Sequence, residues 1–205
     1  MQSDEQGRAK INRGEPLRGS SKAILEQLRQ TEHGEHNILI YPDIETLNEV
    51  MAAHYKEALD DRNELALFVN TYQPQSKIRQ VLGRCGLDVA RYENEGSLVI
   101  YDGVKGYQSA DGVYAVMALI NMLLFERVDR LCKAGMVGMA DMGSFFMMGD
   151  DRLEGLMSYE LSLPSVWDKM KLRSFCLYHQ EDFERLSGEE RQALIDHHYR
   201  YVKLY

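Results

Sequence analysis

The sequence has no apolar run long enough to cross a bilayer. Its longest apolar stretch, around Val113 to Phe125, is interrupted by Asn121 and is much shorter than the roughly 20 residues of a membrane helix. The amino-terminal segment MQSDEQGRAKINRGEP also lacks the apolar core of a secretory signal. We therefore expect a cytoplasmic protein that makes no membrane contact.

Cysteine is scarce and widely spaced. Cys85, Cys132 and Cys176 show no CxxC spacing, which argues against a disulfide framework and a zinc site, and we interpret them as free buried thiols. His33 and His36 are separated by a glycine and have no third ligand nearby in the sequence. The sequence thus predicts no metal site and no cofactor.

Clustered basic residues are also missing. The 24 Lys and Arg residues are scattered among 32 Asp and Glu residues, giving a net charge of −8, so we expect no direct nucleic-acid binding. A length of 205 residues fits one core. Residues 1–20 are polar and are predicted to be a mobile tail, and residues 21–205 a single domain.

Short apolar runs alternate with amphipathic segments along the rest of the chain. Strands are predicted at residues 37–41, 65–69, 98–101, 136–140, 174–178 and 201–204. Helices are predicted from Ser20 or Ser21 to about Gly34, after Asp43, after Pro74, and over residues 112–133, 153–163 and 189–197. This order predicts a three-layer α/β fold, with a mostly parallel sheet covered by helices on both faces. The first helix either packs on the core or joins a second copy of the chain in a homodimer.

Ligands of open α/β sheets bind beyond the carboxyl ends of the strands. Tyr41, Asp43, Asp141, Tyr178 and His179 follow or end predicted strands and are candidate ligand-binding residues. After the first strand, where a nucleotide hydrolase has a phosphate loop with glycines and a lysine, the sequence reads YPDIET. Because proline lacks an N–H and carboxylates repel phosphate, we expect no ATP hydrolysis.

Several polar residues have more than one interpretation. Asp43 is either a helix cap or a ligand contact, and Asp141 is equally a cap, a general base or a cation ligand. Tyr159-Glu160 is a solvated helix face unless Glu160 turns inward, and His197-His198 is interpreted as a solvated helix end.

A cluster of flexible and aromatic side chains surrounds the fourth predicted strand. Its members are Met136, Met139, Met142, Phe145, Phe146, Met147 and Met148. Such a cluster is either core or an adaptable pocket wall, and we interpret Phe146 as part of a wall. That pocket would hold a small, mostly apolar molecule oriented by Tyr41, Asp141 and Tyr178.

Four motifs, HNILIYPDIETL, GMVGMADMGSFF, LEGLMSYELSL and SFCLYHQEDF, resemble the MEDS family over Gly34 to Leu204. This family is a methanogen and methylotroph sensory domain named from a dichloromethane-responsive repressor. The resemblance implies a RecA-like or KaiC-like topology without the phosphate loop. Larger members join the domain to a DNA-binding or kinase module, and we expect this chain to act alone.

The resemblance also implies site residues. His36 and the Tyr41-Pro42-Asp43 turn match the first-strand motif of the family, and Tyr159-Glu160 matches a Tyr-Glu pair. Asp141 stands where many members carry glutamate, and His179 replaces the acid of a strand-end Tyr-Asp.

Two functions follow. We favour a sensory or regulatory domain in signalling or transcription that binds a small molecule or a signalling protein at the strand-end cleft. The alternative is a divergent nucleotide-binding or hydrolytic enzyme using Asp141 and Glu160, and a third reading is a structural adaptor with a closed cleft.

Overall fold

The computed structural model describes residues 21–108, 112–147, 151–164 and 170–205, so the predicted mobile tail over residues 1–20 lies outside the described residues. The described strands are β1 (His36–Tyr41), β2 (Glu64–Asn70), β3 (Leu98–Asp102), β4 (Gly135–Asp141), β5 (Leu172–His179) and β6 (Arg200–Lys203). They form one sheet in the order β3-β2-β4-β5-β1-β6, with every neighbouring pair parallel.

Helices connect these strands. They are α1 (Ser21–Arg29), α2 (Ile44–Lys56), α3 (Gln75–Arg84), α4 (Val89–Glu95), α5 (Gly103–Gln108), α6 (Gly112–Met122), α7 (Gly143–Met147), α8 (Asp151–Ser162), α9 (Gln180–Arg185) and α10 (Gly188–His197). Two π-helical segments, Glu57–Asp61 and Leu123–Val128, continue α2 and α6. Within the part of the chain that the structure describes, no helix is long and apolar enough to span a bilayer.

All six predicted strands are confirmed, because a parallel sheet covered on both faces requires continuous apolar runs. The helices that the sequence missed, α4, α5, α7 and α9, have five to seven residues, which is too short for a helical period to show. The predicted helix over 112–133 is present and ends three residues earlier, at Arg130, with a π-helical segment at Leu123–Val128 within it.

The pleat of the strands divides the apolar core into two layers. Leu39 and Tyr41 of β1 pack among residues of α1 to α4, on what we call the α2 face. Ile38 and Ile40 point the other way and pack among residues of α5 to α10, on the α8 face. The predicted three-layer arrangement is therefore present, with the amino-terminal helices on one face and the carboxyl-terminal helices on the other.

The first helix covers the core of its own chain. Ile24 and Leu28 of α1 are buried against the α2 face. The helix ends at Arg29, earlier than the predicted end near Gly34, because the chain turns there and Thr31 closes the turn by donating its hydroxyl to the Leu28 carbonyl at 2.6 Å.

The prediction that all three cysteines are buried was wrong for two of them. Cys85 and Cys132 are exposed, whereas Cys176 is buried in β5. Cys85 caps the end of α3, and Cys132 has a positive φ of 51° in the turn that follows the second π-helical segment. Both positions end helices at the surface, where a small side chain remains in solvent.

A buried ion pair crosses the amino end of the sheet. Arg173 of β5 and Glu64 of β2 lie on either side of β4, with Arg173 Nε donating to Glu64 Oε1 at 3.2 Å and Arg173 Nη2 donating to Glu64 Oε2. Arg173 also donates to Thr31 Oγ1 at 3.1 Å, and His33 Nε2 lies 2.7 Å from Glu64 Oε1. Between them, Gly135 makes room, since a Cβ there would lie 2.4 Å from His33 Nε2.

We predict that Arg173→Met lowers the free energy of unfolding by about 3–5 kcal/mol, because Glu64 stays buried without its main countercharge. Urea unfolding measures the loss. Arg91→Met, which breaks the exposed pair with Glu95, is the control and should cost less than about 1 kcal/mol. Equal losses in the two variants would show that the Arg173 pair contributes no more than a surface contact.

Candidate functional site

Asp141, the last residue of β4, is buried and uses both carboxylate oxygens. Tyr41 at the end of β1 donates its hydroxyl to Asp141 Oδ2 at 2.9 Å. The backbone N–H of Gly143 donates to Asp141 Oδ1 at 2.8 Å, which fixes the turn into α7. Asp141 thus caps the turn into α7 and also binds the end of β1, which is separated from β4 by β5.

Two hydroxyls extend this group. Thr71, just after β2, donates its hydroxyl to the Asp141 carbonyl at 3.1 Å and lies 2.8 Å from Ser144 Oγ. We call Tyr41, Thr71, Asp141 and Ser144 the Asp141 cluster. It lies at the carboxyl ends of β1, β2 and β4, which is where the sequence placed a site. His179 borders the cluster, with its ring 5.3 Å from that of Tyr41.

The environment of Asp141 favours its protonated form. Burial raises the pKa of Asp141 to about 7, against the opposing effect of the hydrogen bonds from Gly143 and Tyr41. The carboxyl group therefore exchanges a proton near neutral pH.

A second polar group lies on the α8 face of the sheet. Glu160 of α8 accepts a hydrogen bond from the Tyr178 hydroxyl at 2.5 Å through Oε1. Its Oε2 lies 3.3 Å from Cys176 Sγ and 3.6 Å from His198 Nε2. His36 Nε2 lies 3.2 Å from Cys176 Sγ on the other side. We call His36, Glu160, Cys176 and His198 the His-Glu-Cys cluster.

Burial sets the protonation of this cluster. It raises the pKa of Glu160 to about 7 and raises the pKa of the Cys176 thiol well above its usual value. Burial, together with the neighbouring His197, lowers the pKa of His36 to about 4. At neutral pH the cluster therefore has a neutral His36 ring and a thiol.

The predicted site residues thus form two groups. Tyr41, Asp141 and His179 lie together at the strand ends, whereas His36, Tyr178 and Glu160 lie on the α8 face. Asp43 belongs to neither group, because its Oδ1 caps α2 by accepting the N–H of Thr46 at 2.8 Å.

The aromatic residues among them are packed in the interior. Tyr159 stacks on Phe145 with ring centroids 5.8 Å apart. Phe146 is buried with its ring edge-on to Tyr178, at 6.4 Å.

Two predictions of solvent exposure were wrong. Tyr159-Glu160 is buried, because Leu156 and Leu163 lie at helical spacing from Glu160 and turn that side of α8 to the core. His198 is buried as well, because the chain passes from α10 directly into β6 and brings this residue beside His36, with ring centroids 4.3 Å apart. His197 is partly exposed.

The sequence showed no further potential metal ligands near His36. The fold brings Glu160, Cys176 and His198 to within 4.8 Å of it. Cys176 and His198 were missed as site residues because they are far from His36 in the sequence. Position in the strand was a usable signal for Cys176, since Cys176 and Tyr178 are two residues apart and so share one face of β5.

A cavity of about 30 Å³ adjoins the His-Glu-Cys cluster. Its lining residues are His36, Leu67, Val69, Met117, Ile120, Met136, Gly138, Met139, Ala140, Tyr159, Leu163, Leu172, Ser174, Phe175 and Cys176. We call it the Gly138 cavity, because this β4 residue has no side chain to fill it. Phe146 does not line it, whereas Tyr159 does.

Residues 35–198 match the model of the MEDS family, which is described as the methanogen/methylotroph, DcmR sensory domain. The chain belongs to the MEDS family. This confirms the resemblance, and the matched MEDS segment contains every residue of both clusters. No curated protein matches the chain in sequence.

Solved structures from Pyrococcus horikoshii share the fold. A KaiC-like protein from strain OT3 has a TM-score of 0.50 and 19% identity, over 71% of this chain and 61% of that protein. This chain thus spans less than two thirds of the KaiC-like protein. An uncharacterized protein crystallised with an unknown peptide has a TM-score of 0.58 and 15% identity, over 87% of this chain and 81% of that protein. The predicted KaiC-like α/β fold is confirmed.

We predict that Asp141→Asn reduces the dependence of stability on pH and leaves the part that Glu160 contributes, because the pKa of Glu160 is also about 7. The pKa of Asp141 is about 7 in the folded chain and near 3.8 when unfolded, so the folded state holds the extra proton between these values. The stabilisation is complete below pH 3.8 and is lost as pH rises to 7, by up to about 1.4 kcal/mol per pH unit.

Urea unfolding at several pH values between 4 and 8 measures this slope. Asp43→Asn is the control, because the hydrogen bonds of Thr46 lower the pKa of exposed Asp43, so the loss of this carboxyl group should leave the slope between pH 5 and 7 unchanged. A slope that is the same in wild type and Asp141→Asn would contradict the assignment of the proton to Asp141.

Proposed function

We propose that this chain is a sensory domain that detects a small, mostly apolar molecule in the Gly138 cavity and passes the signal to a protein partner. The MEDS family membership supports the sensory role. The observation that carries the ligand class is the cavity itself, which is apolar except at His36, Ser174 and Cys176.

The size of the cavity limits the ligand. Its volume of about 30 Å³ compares with the roughly 10–15 Å³ that one water requires, so it suits a molecule of few heavy atoms. Met117, Met136 and Met139 line it with flexible, polarisable side chains that adapt to different shapes.

The position differs from the strand-end cleft expected from the sequence. The cavity lies beneath the middle of β4 and β5, on the side of α6 and α8. A larger groove of about 620 Å³ lies between α2 and α3, but Glu45, Glu49, Lys77 and Arg84 give it a charged, solvent-facing wall. Such a wall is poorly suited to an apolar molecule.

The arrangement of the two carboxyl groups supports a sensor over a hydrolase. Asp141 bonds to Tyr41, which packs on the α2 face, whereas Glu160 bonds to Tyr178 on the α8 face. The sheet lies between these networks, so one substrate cannot contact both groups as an acid and base pair would require.

A protein partner completes the proposal. The uncharacterized Pyrococcus horikoshii protein of the same fold was solved with an unknown peptide. By analogy, we propose that this chain signals by associating with a protein segment, supplied either by a signalling protein or by a second copy.

We predict that Gly138→Ala removes ligand binding without loss of stability. A Cβ at this position meets only Leu172 Cδ1, at 3.7 Å, so the methyl group enters the cavity without a clash. Replacing a strand glycine by alanine should stabilise the fold by about 0.5–1 kcal/mol. Xenon, which binds dry apolar cavities, is the probe, and amide NMR shifts near Met136 and Tyr159 report its binding.

The matched control is Gly155→Ala on α8, where an added Cβ has no neighbour within 4 Å. We expect xenon to change the chemical shifts of the same amides in wild type and in Gly155→Ala. In Gly138→Ala these shifts should not change when xenon is added. The cavity would be excluded as a ligand site if xenon shifted none of these amides in wild type, or shifted them equally in Gly138→Ala.

A further inference from the structure

In both buried imidazoles of the His-Glu-Cys cluster, the Nδ1 atom lies within hydrogen-bond distance of a backbone carbonyl. His36 Nδ1 lies 3.1 Å from the Pro164 oxygen, and His198 Nδ1 lies 2.7 Å from the Leu194 oxygen. Because a carbonyl only accepts, each Nδ1 carries the ring proton and each Nε2 directs a lone pair into the cluster. Metal-binding histidines are oriented in this way, with the second ring nitrogen donating to a carbonyl or carboxylate.

The facing atoms of the cluster are all potential metal ligands. Cys176 Sγ lies 3.2 Å from His36 Nε2 and 3.3 Å from Glu160 Oε2. His198 Nε2 faces the same carboxylate oxygen at 3.6 Å. Two nitrogens, one sulfur and one oxygen from four different elements of the fold thus converge on one point.

The spacing fits a tetrahedral ion. Zinc bonds of about 2.0–2.3 Å to nitrogen, oxygen and sulfur place neighbouring ligand atoms about 3.3–3.6 Å apart. The contacts of 3.2, 3.3 and 3.6 Å in the cluster are close to these values, and the four ligand atoms all lie within 4.8 Å of one another. Any of the remaining pairs that is longer than about 3.6 Å must close to this spacing when the ion binds.

The donor set selects the ion. Two imidazoles, one thiol and one carboxylate suit zinc, whereas calcium and magnesium require mostly oxygen ligands. Tyr178 holds the other oxygen of Glu160 and orients the carboxylate from outside the ligand set.

We propose that His36, Glu160, Cys176 and His198 form a zinc site. The ion binds His36 Nε2, His198 Nε2, one oxygen of Glu160 and the thiolate of Cys176, whose proton leaves to solvent as the Zn–S bond forms. Four protein ligands close the coordination sphere, which is the arrangement of a structural site. Bound zinc would join β1, β5 and α8 to the segment between α10 and β6.

Cobalt(II) is the spectroscopic probe for this site, added to metal-free protein both in the folded state and during refolding from urea. We expect one equivalent to bind, with the intense visible bands of a tetrahedral ion and a near-ultraviolet band from thiolate-to-cobalt charge transfer. Zinc should displace cobalt and raise the thermal midpoint of the chain.

Paired variants identify the ligands. Cys176→Ser should abolish the charge-transfer band, and His198→Gln should weaken binding by more than the roughly 10–100-fold that loss of an outer partner costs. Cys132→Ser and His197→Gln are the controls, because Cys132 is exposed and His197 Nε2 is bonded to the Leu163 carbonyl at 2.8 Å. Both controls should keep the wild-type spectrum.

The proposal is overturned if wild type shows no charge-transfer band in either preparation, or if the controls lose binding as the ligand variants do. The wild-type spectrum decides the first point even if a ligand variant fails to fold, and Glu160→Gln provides a further variant of nearly the same shape. Gly138→Ala should lose xenon and keep the cobalt spectrum, so failure of the sensory proposal and failure of the zinc site are distinguished.

Discussion

Because both faces of the sheet are covered by helices, polar side chains that its central strands turn toward the core must find partners inside the protein. Arg173 of β5 meets Glu64 of β2, and Tyr41 of β1 meets Asp141 of β4. An unpaired polar group in such a layer would cost the free energy of removing it from water. Each of these pairs also joins strands that are not neighbours in the sequence, so the burial of polar groups fixes which strands come together as well as satisfying their hydrogen bonds.

The alternation of side chains along the strands also decides what chemistry the chain offers. Tyr41 and Asp141 are on the α2 face, whereas His36 and Cys176 are on the α8 face with Glu160. Two buried carboxyl groups, each bonded to a tyrosine hydroxyl, are therefore kept apart by the backbone of the sheet. Hydroxyl and backbone N–H groups surround Asp141, whereas histidine and thiol groups surround Glu160.

The sheet could be predicted from the sequence because a buried parallel strand is a local apolar run, as in residues 36–41. Glu160 was also within reach, since Leu156 and Leu163 share its helix face and indicate that it turns inward. His198 was not, because its burial depends on where β6 returns to the sheet, and that is a property of the whole fold. The strand position of Cys176 placed it on the same face as Tyr178, but the spacing of residues 36, 160, 176 and 198 matches no short metal motif, and only the complete fold brings them together.

The position of β1 has a consequence for how the chain folds. Its two neighbours are β5 and β6, with His36 opposite Ser174 and Asn37 opposite Arg200. β1 therefore has no neighbouring strand until β5 has been synthesised, more than 130 residues later in the chain. Contacts so distant in sequence close large loops and slow folding. Until then the apolar Ile38-Leu39-Ile40 segment lacks the strands that cover its edges, and an unpaired apolar strand is the kind of segment that aggregates during folding.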